Sequence, residues 1–410
     1  MATPNHTEET RIVFASAAAA LLALGCIAAA DVINIPADYP TIQAGIDAAA
    51  DGDEIIVAPD TYKETINLAG KALYLHSSAG PATTIIDGAG LDCSVVTCAN
   101  GEGPGTILAG FTVTGGNAVG QGPRAGCGGG MFVFLAAPTV INCHFADNSA
   151  ACDGGGVFMD ASDNASLAGQ IVPLPLFLNC AFIMNSAGQN GGGFCDECCG
   201  TLFRNCTFGG NSAGCGGGLC CSVKPPTLSN CILCANTAGE GCQMHGPANV
   251  IYSCVEGGCE GIGNIDADPL FVDPVTGDCH LSAGSPCIDA GHNWTLPVDY
   301  TDFDADGKTC DMFPVDLDGN PRFSDDPGTT DTGCGMPAVV DMGAYEYAGI
   351  DAEIVYADAS GDQVVEVLDL LTVLKEWGPC AACCLSDFDV SFTVDVTDLL
   401  EVLAAWGPCP

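Results

Sequence analysis

Oxygen-bearing side chains recur in residues 349–410 with the spacing of a calcium-binding loop, and the pattern occurs twice. Calcium is a hard cation that takes six to eight oxygen ligands, which a twelve-residue loop supplies from positions 1, 3, 5, 7, 9 and 12. In the first loop these positions hold Asp358, Ser360, Asp362, the carbonyl of Val364, Glu366 and Asp369. In the second loop they hold Asp387, Asp389, Ser391, the carbonyl of Thr393, Asp395 and Asp398. The sequence therefore predicts calcium as the cofactor of a separate C-terminal module.

Each loop leads into an apolar segment that predicts a short helix, Leu370–Trp377 after the first loop and Leu399–Trp406 after the second. Asp369 and Asp398 would open these helices, where a carboxylate also suits the positive end of the helix dipole. The competing interpretation is a calcium-free helical hairpin held together by disulfides. The cysteines available for this are Cys380, Cys383, Cys384 and Cys409.

The overall charge narrows the possible partners. The chain carries 51 acidic against 9 basic residues, for a formal net charge of −42. Nucleic acids and anionic membranes attract clustered Lys and Arg, so this composition excludes both as electrostatic partners. It suits a protein that takes up cations, and for most of the carboxylates an ordinary solvated extracellular surface is the simpler interpretation.

The N-terminus and the cysteine content both predict export, to the cell surface or the medium. Arg11 precedes an apolar stretch that ends in three alanines, which is typical of a signal peptide spanning residues 1–30 and cut after Ala30. Lipidation at Cys26 is the alternative. The chain has 27 cysteines, a number that an oxidising compartment tolerates and a reducing one does not. No later stretch is long and apolar enough to predict a membrane span.

The middle of the chain repeats with a period of about 25 residues, which predicts a parallel β-solenoid. Each unit has a glycine triplet, a short apolar strand and an Asn-Cys pair. The triplets begin at Gly128, Gly154, Gly191 and Gly216, and the pairs at Asn142, Asn179, Asn205 and Asn230. The second unit contains an insertion within Asp160–Pro175, which we expect to project from the coils and offer a binding loop.

Strand alternation predicts which side chains stack inside the coils. Inward columns are expected at Val140, Phe177, Phe203 and Leu228, and at Cys143, Cys180, Cys206 and Cys231. The asparagines that precede these cysteines would occupy bends, where Asn tolerates left-handed backbone. Buried, unpaired cysteines are the favoured interpretation of the cysteine column, with disulfides between coils as the alternative. Zinc at Cys195-x-x-Cys198-Cys199 or Cys231-x-x-Cys234 fits by spacing, but no histidine pair accompanies either.

The N-terminal part of the predicted mature chain predicts a cap that is followed by the first coils of the solenoid. Ile33–Pro36 and Glu54–Pro59 predict strands, and Thr41–Ala50 predicts an amphipathic helix that would cover the open end of the solenoid.

Three stretches of the chain resemble known β-helix families. The run YPTIQAGIDAAADGDEIIVAPDTYKETI resembles the cap of right-handed parallel β-helix proteins of the pectate-lyase-like superfamily. The glycine triplets with FADN, FIMN and FGGN resemble repeats of polymorphic outer-membrane proteins. DADPLFVDPVTGDCHLSAGSPCIDAG and VDMGAYEY resemble the closing segment of large secreted bacterial β-helix proteins. These resemblances imply an all-β, right-handed parallel β-helix over residues 31–348.

The duplicated loop and helix resemble dockerin modules, which attach secreted proteins to cohesin domains. This resemblance implies calcium in both loops and a cohesin-like or cell-surface partner for residues 349–410. The sixth loop position, usually glycine, is Gln363 in one copy and Phe392 in the other. Positions 10 and 11, often Ser-Thr in dockerins, are Val367-Leu368 and Val396-Thr397.

Catalytic residues are harder to find. Polysaccharide lyases of this fold use a Lys or Arg base, and hydrolases use paired carboxylates. Arg204 is a candidate base that should face outward. The candidate carboxylates are Asp153, Asp160, Asp163, Asp196 and Glu197, for which solvated turns are the simpler interpretation. The Asp302–Gly307 and Asp316–Gly319 stretches are either weak calcium loops or plain Asp-rich turns.

The sequence thus predicts an exported, non-catalytic β-helix protein, adhesive, glycan-binding or structural, that is docked through its tail. The alternative is a lyase or hydrolase acting on a polysaccharide and delivered by the same tail.

Overall fold

The computed structural model describes residues 30–120, 124–160, 174–197, 199–299, 311–351, 357, 359, 365–379, 384, 386–388, 391 and 393–406. The predicted signal peptide up to residue 29, most of the insertion after Asp160 and the Asp302–Gly307 stretch lie outside these residues. None of the described helices has the length and apolarity that crossing a membrane requires.

Parallel strands dominate the described chain and stack into a solenoid of four sheets. The first sheet contains Val32–Ile35, Glu54–Val57, Tyr74–Ser77, Ile107–Ala109, Thr139–Ile141, Leu176–Leu178, Leu202–Arg204, Thr227–Ser229 and Asn249–Ile251. The second contains Asp60–Tyr62, Thr84–Asp87, Thr112–Thr114, His144–Ala146, Ala181–Ile183, Thr207–Gly209, Ile232–Cys234 and Cys254–Val255. The third contains Ile66–Asn67, Val96–Cys98, Met131–Phe134, Val157–Asp160, Phe194–Glu197, Leu219–Cys221 and Met244–His245. The fourth contains Asn117–Ala118, Ser149–Ala150, Ser186–Ala187, Ser212–Cys215 and Thr237–Glu240.

The remaining described elements are short. Three antiparallel pairs join Phe271–Asp273 to Asp278–Leu281, Ser324–Asp325 to Ile350–Asp351, and Gly378–Pro379 to Thr393–Val394. The helices are α1 (Ile42–Ala48), α2 (Val367–Glu376) and α3 (Val396–Ala404), with a 3-10 turn at Asn293–Thr295.

The predicted cap is confirmed. Helix α1 lies against the first strands, and its Ile42 and Ile46 are fully buried in the solenoid core. Thr41 caps the helix by accepting a hydrogen bond from the Ala44 amide at 3.1 Å. The Glu64 carboxylate accepts the next two free amides, from Ile42 at 2.9 Å and Gln43 at 3.0 Å. The cap thus closes the end of the core and satisfies its own helix terminus.

The inward columns are also confirmed by strand register. Val140, Phe177, Phe203 and Leu228 are partners in successive strands and are fully buried. The cysteines of the Asn-Cys pairs are buried and unpaired, as favoured. Phenylalanines stack one coil apart, with ring centroids 5.3 Å apart for Phe145 and Phe182 and 4.6 Å apart for Phe182 and Phe208. The core is therefore a set of vertical ladders of like residues.

Two positions of each glycine triplet require glycine, for different physical reasons. The first glycine adopts a left-handed conformation, as at Gly154 with φ of 66°. The second has no space for a side chain, because a Cβ at Gly155 would lie 2.4 Å from the Ser186 carbonyl oxygen. Repetition of these two demands in each coil accounts for the sequence signature.

A buried asparagine ladder follows four successive strands of the second sheet and was not predicted. Its members are Asn148, Asn185, Asn211 and Asn236. The side-chain oxygens of Asn185, Asn211 and Asn236 each accept hydrogen bonds from the backbone amide and the side-chain amide of the asparagine one coil before, at 2.9–3.1 Å. Asn148, the first member, accepts from the Gly116 amide at 3.0 Å. The ladder therefore fastens consecutive coils in one register.

The asparagines of the Asn-Cys pairs form a second column. They lie at bends, as predicted, but most of their side-chain hydrogen bonds go to residues outside the column. Its members have φ between 47° and 54°, which confirms the left-handed backbone. Only Asn230 reaches its coil neighbour among these four, donating to the Asn205 Oδ1 at 3.0 Å. The other bonds run to backbone carbonyls of residues 270–351, which we call the closing segment: Asn142 to Asp316, Asn179 to Val315 and Asn205 to Asp341.

The closing segment consequently lies along the flank of the coils. Its Phe313 and Val340 pack on the outward Ile141 and Leu178 of the first sheet. Fully buried Arg322 anchors it, donating to the Glu346 carboxylate at 3.1 Å and to the Asn179 side chain at 2.9 Å. The outer faces of the middle strands of the first two sheets are thereby covered.

We predict that Asn211→Ala destabilises the solenoid strongly. The substitution removes the acceptor of the Asn185 backbone and side-chain amides, and buried donors left unpaired cost on the order of 1–3 kcal/mol each. Chemical denaturation should show the loss, and the exposed Asn249→Ala is the matched control. Equal stabilities of the two variants would contradict the role of the ladder.

Candidate functional site: the C-terminal loop and helix module

The two predicted helices exist, but each begins three residues earlier than expected. They start at Val367 and Val396, so Asp369 and Asp398 occupy the third helical position instead of preceding the helix. The reason is a capping box, in which the carboxylate reaches back to the residue before the helix. Asp369 accepts from the Glu366 amide at 2.6 Å, and Asp398 from the Asp395 amide at 2.8 Å.

The second loop closes on itself as a twelve-residue ion-binding loop must. The Phe388 amide donates to the Asp398 Oδ1 at 2.8 Å, which brings position 12 beside position 1. Asp387, at position 1, accepts from the Ser391 amide at 3.0 Å. Both carboxylates are buried. Anionic oxygens drawn together inside a strongly acidic protein are the arrangement that a bound cation stabilises.

The other predicted ligands of this loop that the structure describes are Ser391, Thr393 and Asp395. The Ser391 hydroxyl is 3.1 Å from the Thr393 carbonyl oxygen, so positions 5 and 7 present adjacent oxygens. Asp395 is partly used by the helix cap, since its Oδ1 accepts from the Thr397 amide at 2.7 Å. The oxygen-only donor set fits calcium better than zinc or copper.

The first loop is described only at its end. Glu366 is half-buried and Asp369 is buried beneath α2. The predicted ligands Asp358, Ser360, Asp362 and Val364, and Asp389 of the second loop, lie outside the described residues. Val365 and Val394, at position 8 of each loop, are buried in one apolar cluster. In the described chain, the strand that holds Val394 pairs with Gly378–Pro379.

The module packs against the solenoid's closing segment. Phe388 meets Trp294 edge-to-face, with ring centroids 5.5 Å apart, and Val373 and Val402 belong to the same buried cluster as Leu296. Cys384 is disulfide-bonded, in agreement with the expectation that cysteines staple the module. Cys380, Cys383 and Cys409 lie outside the described residues.

On the solenoid, the five candidate carboxylates separate into two kinds. Asp153 and Asp196 serve turns: Asp153 accepts from the Asn190 amide at 3.0 Å, and Asp196 accepts from the Thr201 amide at 2.9 Å. Asp160 and Glu197 are direct register partners on the third sheet. Asp163 lies outside the described residues.

Arg124 lies beside the Asp160 and Glu197 carboxyl groups, and the three residues form one charged group. It forms an ion pair with buried Asp160 and lies over the Phe134 ring, 4.6 Å from its centroid. Burial raises the pKa of the Glu197 carboxyl, and the Asp160 and Asp153 carboxylates add to the increase while Arg124 opposes it. A carboxyl group with a raised pKa beside a second carboxyl group is a pattern found in general acid and base pairs.

Arg204, the predicted base, is a poorer candidate. It faces away from the solenoid core between Leu178 and Ser229, as expected. It is nevertheless half-buried near His292 of the closing segment, and burial lowers the pKa of its guanidinium. Its described hydrogen bond goes to the Ser229 hydroxyl. It therefore has a structural environment instead of a substrate-facing one.

The cysteine spacings that suggested zinc do not converge. Cys231 lies in the solenoid core while Cys234 packs on the outside. Cys199 likewise faces the core and Cys195 the outer surface. Cys198 lies outside the described residues. The strand between each pair places the two thiols on opposite sides of the coil wall.

Among the residues that the structure describes, metal-ligating side chains converge in groups of three at two further places. They are Cys215, Glu240 and His245 at the solenoid edge, and Asp289, Asp325 and Asp331 in the closing segment. The first group follows from coil stacking, since Cys215 and Glu240 are register partners one repeat apart. The second has no such signature, and sequence reasoning missed it.

Comparison with known proteins adds no assignment. No family model matches the chain, and no curated protein matches it.

We predict that Asp398→Ala destabilises the module even when calcium is chelated. The substitution leaves the Phe388 and Asp395 amides without their acceptor, at on the order of 1–3 kcal/mol for a buried donor. Denaturation in a chelator, followed by tryptophan fluorescence, measures the loss. The neighbouring exposed Thr397→Ala is the control, and an unchanged unfolding curve for Asp398→Ala would refute the loop geometry.

Proposed function

We propose that this is an exported, non-catalytic protein built on a right-handed parallel β-helix, whose dockerin-like tail binds calcium and docks it to a cohesin-like or cell-surface partner. The solenoid serves adhesion, glycan binding or structure outside the cell. Calcium holds both loops closed, and the loops in turn set the positions of α2 and α3.

One observation carries the docking proposal: both helices present the same apolar face to solvent. The face of α2 consists of Val367, Leu371, Leu374 and Trp377, and that of α3 of Val396, Leu400, Leu403 and Trp406. Each of these side chains is between 49% and 57% exposed. Soluble proteins seldom leave so many large apolar side chains together in water, and such patches mark interaction sites.

The duplication strengthens this argument. The four positions on α3 follow those on α2 at the same offset as the two calcium loops, from 358 to 387. Val373 and Val402, one face away, are fully buried. The exposed apolar positions therefore occur in addition to a buried apolar contact on each helix, and packing within the described part of the chain does not account for them.

A second candidate function has its own support. Asp160, Glu197 and Arg124 form a charged group on the outer side of the third sheet, which is the arrangement an acid-base hydrolase or lyase would need. This alternative makes the protein a polysaccharide-degrading enzyme delivered by the same tail. Turnover of a uronate or neutral glycan that disappears in Glu197→Gln would establish it and overturn the non-catalytic proposal.

We expect calorimetry to detect calcium binding by the tail. Asp387→Ala removes the first ligand of the second loop, so its heat should be lost, and Asp358→Ala should act likewise on the first loop. The full chain is the appropriate sample, because Trp294 packs on Phe388 of the module. Unchanged calcium binding in both variants would exclude the loops as sites.

Docking should depend on the exposed faces. Leu371→Glu combined with Leu400→Glu places charges in both, and should abolish calcium-dependent retention of the protein by an envelope preparation from the source organism. The control is Thr372→Glu, which adds a charge beside this face at a residue whose hydroxyl bonds the Leu368 carbonyl. Retention of the double variant at the level of the parent protein would contradict the proposal.

A further inference from the structure

Three carboxylates that do not belong to the tail loops converge in the closing segment. Asp289, Asp325 and Asp331 each place an oxygen within 4.8 Å of the oxygens of the other two. In a calcium site with bonds of about 2.3–2.6 Å, oxygens on opposite sides of the ion are roughly 4.6–5.2 Å apart. The spread of the group therefore matches the space around one calcium ion.

Asp289 provides an independent sign of a missing partner. Its side chain is fully buried, and neither carboxylate oxygen has a hydrogen-bond partner. Buried polar atoms in folded proteins are nearly always satisfied, so an orphaned carboxylate calls for an ion or a water. Its oxygens point into the same space as those of Asp325 and Asp331.

The backbone holds Asp289 in place. Its carbonyl accepts from the Thr332 amide at 2.9 Å and the Gly333 amide at 3.1 Å, which ties Asp331 to it. Its own amide donates to the buried Asp341 carboxylate at 2.8 Å. The residue also adopts a left-handed conformation, with φ of 50°, which a non-glycine residue keeps only when its surroundings enforce it.

The third carboxylate is held from another direction. Asp325 lies on the short strand Ser324–Asp325, which pairs with Ile350–Asp351. The adjacent Asp326 does not join the group, because its side chain closes a turn by accepting from the Gly328 amide at 3.0 Å and the Thr329 hydroxyl at 2.8 Å. The three ligands thus come from separate stretches of chain that the fold forces together.

The negative charge of the group is not offset by a described cation. Burial, together with the nearby carboxylates of Asp331, Asp325 and Asp326, raises the pKa of Asp289 to about 6. The Asp326 amide acts in the opposite direction, although its geometry does not reach that of a hydrogen bond. In the described closing segment, Arg322 is committed to Glu346 and Asn179.

We propose that Asp289, Asp325 and Asp331 bind a calcium ion that clamps the start of the closing segment to its end. Ligation by carboxylates alone selects a hard divalent cation over zinc or copper. The ion satisfies the orphaned Asp289 side chain and neutralises charge where the segment folds back along the coils. This site is separate from the tail loops in residues and in role.

Calcium titration of the full chain tests the site. Asp331 is exposed, so Asp331→Asn should fold normally, as circular dichroism would verify, and Asp325→Asn provides a second variant. Each should bind one calcium fewer than the parent protein, or bind one at least about tenfold more weakly. The control Asp147→Asn makes the same charge change at an exposed solenoid bend and should match the parent.

The site is overturned if Asp331→Asn and Asp325→Asn retain the parent stoichiometry and affinity. The result does not depend on the tail. If Asp358→Ala and Asp387→Ala change nothing because the loops bind no calcium, the Asp331-dependent equivalent must still be present. A calcium-induced rise in melting temperature that survives in the tail variants and disappears in Asp331→Asn would be the corresponding stability signature.

Discussion

Backbone hydrogen bonding between successive coils places each side chain directly beside its counterpart one coil away, about 4.8 Å distant. Every column must therefore consist of residues that tolerate a copy of themselves as a neighbour. Phenylalanine rings can stack on one another, and the small cysteine thiols pack together in a column. An asparagine side chain is both a hydrogen-bond donor and an acceptor, so Asn185 can bond both Asn148 and Asn211. The columns of this protein are made of these residue types.

The same constraint determines where charge is placed. Like charges stacked at this spacing repel strongly in a buried column, so in the described coils carboxylates are found mainly in turns. Where Asp160 and Glu197 do become register partners, Arg124 lies against them. In the closing segment Arg322 performs this task for Glu346. Where the described residues place no cationic side chain beside a buried carboxyl group, as at Asp289, the calcium ion proposed above would supply the neutralising charge.

The closing segment covers part of the solenoid surface, and only the surfaces that stay exposed can contact a partner. The closing segment lies over the middle strands of the first and second sheets, and its His292 lies near Arg204. The tail leaves the apolar faces of α2 and α3 exposed. Because the tail packs through Phe388 on Trp294, it extends from the covered flank instead of hanging on a free linker.

The repeat, the cap, the inward columns, the left-handed asparagines and the existence of the two C-terminal helices could be predicted from the sequence, because each of these is set by local propensity or by a period along the chain. Helix starts were misplaced by three residues, since a capping box depends on hydrogen bonds that spacing does not reveal. Only the tertiary structure decided the position of the closing segment, the partners of Arg322 and the meeting of Asp289 with Asp325 and Asp331. These contacts join residues that are distant in the chain and follow no period, so their geometry exists only after the coils have stacked.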